Sequence, residues 1–273
     1  MPKKLFVFDI ETIPDTDVVF NLTGSEETNV LKLRKELEDY HMEVADNPFP
    51  RQLFHRVVSI SVLDADIIVD EKGFEYYKIN KVGTISNTKY SEEEMTAKFF
   101  EYLCKHTPRI VDYNGRTFDL PVMKYRAMKY NLSIPELFNA GDKWNNYNTR
   151  FSFDWHCDLL DALSDCGASA RCKMNEVCSI LGIPGKIGVD GSKVSGMFDE
   201  GRLKEIDNYC ETDVLNTYLI YLNYMLLIGK ISKDGFYSMN KDLIDYMEKQ
   251  DKEHFFEFLT MWEEVDTRNL FEK

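Results

Sequence analysis

Long apolar runs are missing from this chain of 273 residues. A membrane-spanning helix needs about 20 consecutive, mainly apolar residues, and the best candidate stretch, residues 218–228, is interrupted by Asn223. The apolar run near the amino terminus is cut short by Asp9 and Glu11, well below the length of a secretory signal peptide. We therefore predict a cytoplasmic protein with no membrane contact.

Glycine, proline, paired cysteines and basic residues are also scarce. With 14 glycines, 8 prolines and 44% hydrophobic residues, the composition excludes a collagen-like or disordered chain. The six cysteines form no Cys-x-x-Cys pair and do not join the five histidines at the spacing of zinc sites. The net charge of -14 is opposite in sign to that of proteins that bind nucleic acid by counterion release. A polyanionic substrate would need another source of positive charge, such as divalent cations held by inward-facing carboxylates.

Strand-like and helix-like segments follow one another in an order typical of α/β proteins. The predicted strands cover residues 4–10, 56–63, 67–70, 74–79 and 109–113. The predicted helices cover residues 26–44, 91–103, 120–130, 158–163, 175–181, 203–228 and 241–262. We expect Pro14 to end the first strand, and the three strands that follow it to form a meander. The pattern predicts a mixed sheet flanked by helices.

Two carboxylates come directly after the first predicted strand. Asp9 and Glu11 are two residues apart, so the alternation of a strand directs both side chains to one face. A single Asp-x-Glu is most often a solvated strand end, but these acids lie at the carboxyl end of an apolar strand, where open α/β sheets bind ligands. Two facing carboxylates are costly unless a cation lies between them. The pair indicates a divalent-cation site.

Two further acids occupy positions that have ordinary structural explanations when taken singly. Asp119 stands at the start of the predicted helix 120–130, where it could serve only as a cap. Asp213 follows Tyr209 by four residues on the long helix, which places both on one face about 5–6 Å apart. Charged helix faces usually meet solvent, but the apolar neighbours of Asp213, beginning with Val214, direct this acid inward.

Three segments in order, FDIET at 8–12, NGRTFDLP at 114–121 and YCETD at 209–213, resemble the exonuclease motifs of the DEDD 3′–5′ exonuclease superfamily. The third has the Tyr-x-x-x-Asp form of the DEDDy branch, and the second resembles the proofreading domain of family B DNA polymerases. The chain is similar to bacterial stand-alone proteins predicted to be exonucleases of this type. The resemblance implies a ribonuclease H-like exonuclease domain over residues 1–228, with a helical insertion at about 26–44. A helical extension over residues 229–273 would follow.

The resemblance also implies a catalytic set of Asp9, Glu11, Asp119, Tyr209 and Asp213. The four acids would bind two divalent cations, and oxygen donors alone favour Mg²⁺ or Mn²⁺ over zinc. In this scheme Asp9 bridges both ions, and Glu11 and Asp213 serve the ion that carries the nucleophilic water. Asp119 serves the other ion, partly through water. Tyr209 orients the water, because a phenol with a pKa near 10 is a poor base.

The implied reaction releases nucleoside 5′-monophosphates from the 3′ end of single-stranded nucleic acid, with DNA favoured. The candidate substrate contacts are Thr12, Ile13, Asn114, Phe118 and Lys186. Two other interpretations stay open: an RNA-trimming exoribonuclease, and a catalytically idle relative that binds nucleic acid or a protein through the 26–44 helix and the tail. The presence of all four acids and Tyr209 favours an active enzyme. No residue pattern distinguishes DNA from RNA.

Overall fold

The computed structural model describes residues 2–185 and 191–270, with side chains as far as residue 265. The strands in the described residues are β1 Lys4–Pro14, β2 His55–Val69, β3 Glu75–Ser86, β4 Arg109–Asp112 and β5 His156–Asp158. The helices are α1 Val19–Thr23, α2 Val30–Ala45, α3 Glu92–His106, α4 Asp119–Lys129, α5 Pro135–Asn139, α6 Leu159–Leu163, α7 Met174–Leu181, α8 Val194–Asp199, α9 Leu203–Leu227, α10 Lys233–Glu248 and α11 Glu253–Leu270.

The strands form one mixed sheet in the order β3-β2-β1-β4-β5. β2 pairs antiparallel with both β1 and β3, whereas β4 is parallel to β1 and β5 is parallel to β4. This arrangement is the ribonuclease H-like α/β fold, so the predicted fold class is confirmed. Because β1 is central, it is apolar on both faces: Leu5 and Val7 pack into the core with α9, while Phe6 and Phe8 pack against α3 and α4.

The long helix α9 lies within the protein rather than on its surface. Every residue of α9 from Tyr209 to Leu222 is buried, as expected of a helix that is enclosed on all sides. Its apolar residues share a core cluster with β1, β4, α10 and α11. Any functional group on this stretch of α9 is therefore held rigidly against the sheet.

Three strand boundaries differ from the sequence prediction. The strand predicted at 74–79 continues as β3 to Ser86, paired throughout with β2. β1 continues to Pro14, because a bulge in β2, opposite Glu11 and Thr12, lets residues 12–14 keep pairing with β2; a proline at the last position of a strand costs little. The two strands predicted at 56–63 and 67–70 form the single strand β2, whose pairing with β3 continues across an irregularity at Asp64. The short strand β5 had no counterpart in the prediction.

The insertion and the tail are both helical, as predicted. The insertion helix α2 begins after Asn29, whose side chain accepts the backbone N–H groups of Leu31 and Lys32. The tail forms two helices, and Phe255 and Phe258 of α11 are buried in the same cluster as β1. The tail thus shares the core of the domain, and a boundary at residue 228 stays a prediction. No helix in the described part of the chain is long and apolar enough to cross a bilayer.

The segment 131–150 contains the one-turn helix α5, which begins at Pro135, a residue suited to the first turn of a helix. Residues 186–190 of the glycine-spaced segment 182–191, including Lys186, lie outside the described residues.

Candidate active site

Asp9 and Glu11 lie in the central strand β1, near its carboxyl end. Glu11 is buried, Asp9 is partly buried, and their carboxylate oxygens and the Cys210 sulfur all lie within 4.8 Å of one another. The pairing with β2 skips Val58 after the Glu11–Ser59 pair, so the bulge lies in β2 beside the acids, where bulges are common near active sites. Glu11 and Thr12 both border one cavity.

Asp119 reaches β1 from the first residue of α4. Its Oδ1 accepts the backbone N–H of Ile10 at 3.3 Å, so the carboxylate lies beside the residue between Asp9 and Glu11. Burial raises the pKa of Asp119 to about 8, and the negative charge of Asp112 adds to this effect. A bound cation would favour the ionised form of such a group.

The turn before Asp119 is fixed by two other buried carboxylates. Asn114 has a left-handed backbone with φ 72°, and its N–H and that of Arg116 both donate to Asp158 at 3.0 Å. The Gly115 N–H donates to Asp112 at 3.1 Å. A Cβ atom at Gly115 would lie only 2.3 Å from Cγ of Asp112. The Asn-Gly pair is therefore required for this approach, and the turn delivers Asp119 to β1.

The third motif approaches the same point from α9. Tyr209 and Asp213 are 4% and 2% exposed, respectively, and hydrogen-bond each other. Burial raises the pKa of Tyr209 well above its usual range, and the charges of Asp213, Glu11 and Asp9 raise it further. The phenol therefore keeps its proton at neutral pH. The thiol of the intervening Cys210 lies 3.4 Å from the Asp9 carbonyl oxygen, which brings α9 against β1.

Two cavities open on this cluster of acids. The first, of about 720 Å³, is bordered by Glu11, Thr12 and the rings of Phe49, His55 and Phe118, and we call it the aromatic cavity. The His55 and Phe49 rings lie 4.9 Å and 6.1 Å, respectively, from the Phe118 ring.

The second cavity, of about 580 Å³, is bordered by Asp9, Asn114, Arg171, Lys173 and Asp213, and we call it the polar cavity. Gly191 borders both cavities. Glu11 thus borders the aromatic cavity, and Asp9 and Asp213 border the polar one.

The predicted substrate contacts are placed unequally. Thr12 and Phe118 border the aromatic cavity and Asn114 borders the polar cavity. Ile13 differs from the expectation, because it is only 4% exposed and packs in an apolar cluster beneath Tyr209. Adjacent strand residues face opposite ways, so a cavity position for Thr12 directs Ile13 into the core. Lys186 lies outside the described residues.

Sequence reasoning missed several residues that border the cavities. Phe49 is 58% exposed, and its place between Pro48 and Pro50 was a signal for an exposed loop aromatic. Lys173 borders the polar cavity just before α7. Arg34 of α2 borders the aromatic cavity and donates two hydrogen bonds to Asp199 of α8. The bond from Nη2 measures 2.8 Å. The insertion helix thus contributes to the site, which its amphipathic pattern did not reveal.

Comparison with known proteins identifies the family. A family model described as a predicted 3′-5′ exonuclease related to the exonuclease domain of PolB matches residues 47–262. The chain belongs to this family. Membership in the PolB-related exonuclease family confirms the DEDD-type resemblance seen in the motifs. The match includes Asp119, Tyr209 and Asp213, whereas Asp9 and Glu11 precede it and are joined to them by the geometry described above.

Individual relatives and solved structures are only distantly similar to the chain. DNA polymerase 1 of Sulfurisphaera ohwakuensis is 29% identical over 117 residues, which cover 41% of this chain and 13% of the polymerase. Among solved structures, apo exonuclease I is 12% identical with a TM-score of 0.30, covering 62% of this chain and 31% of that one. E. coli exonuclease I in complex with an oligonucleotide is 12% identical with a TM-score of 0.33, covering 84% and 45%. The chain spans less than half the length of each.

Proposed function

We propose that this protein is a 3′–5′ exonuclease that hydrolyses phosphodiester bonds at the 3′ end of single-stranded nucleic acid and releases nucleoside 5′-monophosphates. The observation that carries the proposal is the convergence of the three motifs: Asp119 beside Ile10, and Asp213 with Asp9 on the wall of one cavity. Membership in the PolB-related exonuclease family supports the same reaction.

The donor set of the site suits hard divalent cations. Asp9, Glu11, Asp119 and Asp213 offer only carboxylate oxygens, which favour Mg²⁺ or Mn²⁺. Burial and Asp112 raise the pKa of Asp119 to about 8, as expected where a cation completes the site. The neighbouring Cys210 sulfur is a soft donor, which hard cations such as Mg²⁺ do not select. We propose that the four acids hold two such ions.

When bound, two divalent ions would activate a water molecule and stabilise the leaving oxygen of the scissile phosphate. The chain's own part is to hold the reactants in register. The Tyr209 phenol stays protonated and donates its O–H to Asp213. Its oxygen can accept a hydrogen bond from the attacking water, so Tyr209 orients the water and does not act as a base. The hydrogen bond from Ile10 to Asp119 fixes the spacing between the first and second motifs.

The two cavities fit the two ends of a scissile dinucleotide. The rings of Phe49 and Phe118 in the aromatic cavity offer stacking surfaces for the 3′-terminal base, and such stacking contributes about 1–3 kcal/mol per base. Arg171, Lys173 and Asn114 in the polar cavity offer donors to the backbone of the next nucleotide. Local cations and these few donors would compensate for the net charge of -14.

A 5′-labelled single-stranded DNA oligonucleotide tests the proposal in the presence of Mg²⁺ or Mn²⁺. The wild type should shorten the labelled oligonucleotide stepwise from its 3′ end and release nucleoside monophosphates. Asp9→Ala should leave the oligonucleotide intact. Glu71→Ala is the matched control, because this exposed acid lies in the β2–β3 turn, at the opposite end of β1 from Asp9. Equal release by wild type and Asp9→Ala, or no release by wild type, would contradict the proposal.

We propose DNA as the preferred substrate, because one relative of the chain is a DNA polymerase. Matched DNA and RNA oligonucleotides of the same sequence, digested under the same conditions, test this preference. A higher kcat/KM on RNA would instead support the exoribonuclease interpretation.

A further inference from the structure

The third motif contains an acid that points away from the catalytic face. Glu211 lies on α9 between Tyr209 and Asp213 and is 4% exposed. Its two carboxylate oxygens accept the Lys252 ammonium group at 2.8 and 2.9 Å, and Oε2 lies 2.7 Å from Nε2 of His254. Lys252 immediately precedes α11, and His254 is the second residue of that helix. The C-terminal helix is thus anchored on the motif itself.

The same carboxylate is linked to the sheet. Oε1 of Glu211 accepts the hydroxyl of Thr84 in β3 at 2.9 Å, and Thr84 lies 2.7 Å from the hydroxyl of Ser61 in β2. Ser61 is the register partner of Asp9 in β1. A polar chain therefore runs from α11 through Glu211 and across two strands to the position opposite Asp9.

The position of Glu211 on α9 explains how this series of hydrogen bonds can control the orientation of the helix. Successive helix residues are rotated by about 100°, so Glu211 lies roughly 160° around the helix from both Tyr209 and Asp213. A carboxylate held by donors from two directions resists rotation of α9 about its own axis. Such a rotation would move both catalytic side chains relative to Asp9, and a displacement of about 1 Å can cost roughly 10²-fold in rate.

We propose that Glu211 is a positioning residue, and that Lys252 and His254 act through it to set the rotation of α9, so that Tyr209 and Asp213 face Asp9 and Glu11. The start of α11 then belongs functionally to the active site. This inference rests on the proposed exonuclease function for its kinetic consequences, but its effect on cation binding is independent of catalysis.

The variants Glu211→Gln, Lys252→Met and His254→Gln weaken the anchor at three separate points. The matched control is Tyr76→Phe, which removes the hydrogen bond from β3 to Asp242 of α10. That contact also joins the C-terminal helices to the sheet, but it does not involve the third motif. All four proteins are compared well below their melting temperatures, so that each is folded.

A positioning role predicts that the three anchor variants lower kcat by about 10- to 100-fold with little change in KM for the oligonucleotide. They should also raise the Mn²⁺ concentration that gives half-maximal activity, and weaken Mn²⁺ binding measured by calorimetry on the protein alone. Tyr76→Phe should lower the melting temperature without these changes. The conservative Lys252→Arg should retain most of the activity that Lys252→Met loses.

Two results would overturn the inference. One is a fall in melting temperature in the anchor variants, similar to that of Tyr76→Phe, with unchanged kcat and unchanged Mn²⁺ binding, which would make Glu211 purely structural. The other is Mn²⁺ binding that is equal in all variants when the wild type shows no nuclease activity. In that case the inactive wild type would contradict the proposed function, and the equal Mn²⁺ binding would separately contradict the positioning role.

Discussion

Asp119 and Glu211 are two buried carboxylates of the same site that are held in opposite ways. Their exposures are similar, 6% and 4%, yet burial raises the pKa of Asp119 to about 8. Burial alone would also raise the pKa of Glu211, but its hydrogen bonds with His254 and Lys252 lower it to about 2. Partners, and not depth, decide the charge of a buried acid. The chain supplies its own cationic group to Glu211, which anchors helices, whereas Asp119 is an acid for which we propose a bound cation.

Other structural acids follow the pattern of Glu211. Glu75 pairs with the buried Arg109 at 2.6 Å, and Asp15 pairs with the buried Arg126 at 2.6 Å. Although burial acts to raise their pKa values, the guanidinium groups lower both. A strongly raised carboxylate pKa within a cleft is the less common state, and it marks candidate functional acids.

The largest expected effect comes from removing the charge of Asp119. Asp119→Asn keeps an oxygen that can accept the Ile10 N–H but removes a proposed cation ligand. We expect nuclease activity to fall by roughly 10³-fold, since metal ions contribute several kcal/mol of transition-state stabilisation. The melting temperature without metal should stay the same or rise, because burial of the Asp119 carboxylate destabilises the folded protein and the variant removes that charge. If Asp119→Asn lowered the melting temperature as much as Glu211→Gln does, the proposed difference between a destabilising and a stabilising buried acid would be wrong.

The next effect concerns an acid that the chain neutralises itself. Arg109→Met leaves Glu75 buried without its bidentate partner, and breaking one side of a buried ion pair costs about 3–5 kcal/mol. Urea denaturation followed by circular dichroism should show this loss. Lys35→Met, which removes the exposed pair with Asp39, is the control and should leave the midpoint unchanged. An equal shift in both variants would show that burial does not strengthen the pair.

Acid pH should weaken the Glu211 anchor. The pKa of Glu211 in the folded protein is about 2, below the usual glutamate value of 4.5. The anchor therefore stabilises the folded state fully above pH 4.5, and this stabilisation is lost as the pH falls toward 2. The difference corresponds to something on the order of 3 kcal/mol. Urea unfolding of wild type and Glu211→Gln between neutral pH and pH 3 tests this. Parallel stability curves for the two proteins would contradict the low pKa.

Divalent cations should stabilise the folded protein through the acids of the site. At a concentration of Mg²⁺ or Mn²⁺ one hundred times the dissociation constant, the expected gain is about 2.7 kcal/mol per site. Thermal unfolding with and without the metal measures it, and a chelator should reverse the gain. Asp119→Asn should show a much smaller gain. A gain of equal size in wild type and variant would place the cation elsewhere.

The sequence predicted the parts of the site that follow local periodicity. Asp9 and Glu11 share a strand face, and Tyr209 and Asp213 share a helix face, because strands and helices repeat with fixed periods. The exclusion of Ile13 from the cavity was not predicted, because it depends on the packing of Ile13 against Val58 and Tyr209, residues far apart in the chain. Phe49 also escaped prediction, because its contact with Phe118 joins two loops far apart in the chain.

The tail was the least predictable part. Its helical character follows from its apolar spacing, but the contacts of Lys252 and His254 with Glu211 join residues 41 and 43 positions apart. Salt bridges at that separation have no local signature. The three-residue strand β5 was missed for a similar reason, since its place in the sheet is set by β4 and not by its own length.

The enclosure of α9 restricts how the gene for this protein can change. The helix has 25 residues, about 37 Å of continuous spiral at 1.5 Å per residue. Deleting or adding one codon within it would turn every downstream side chain by about 100° relative to its surroundings. Substitutions along this segment can therefore be accommodated, but a change in its number of residues cannot.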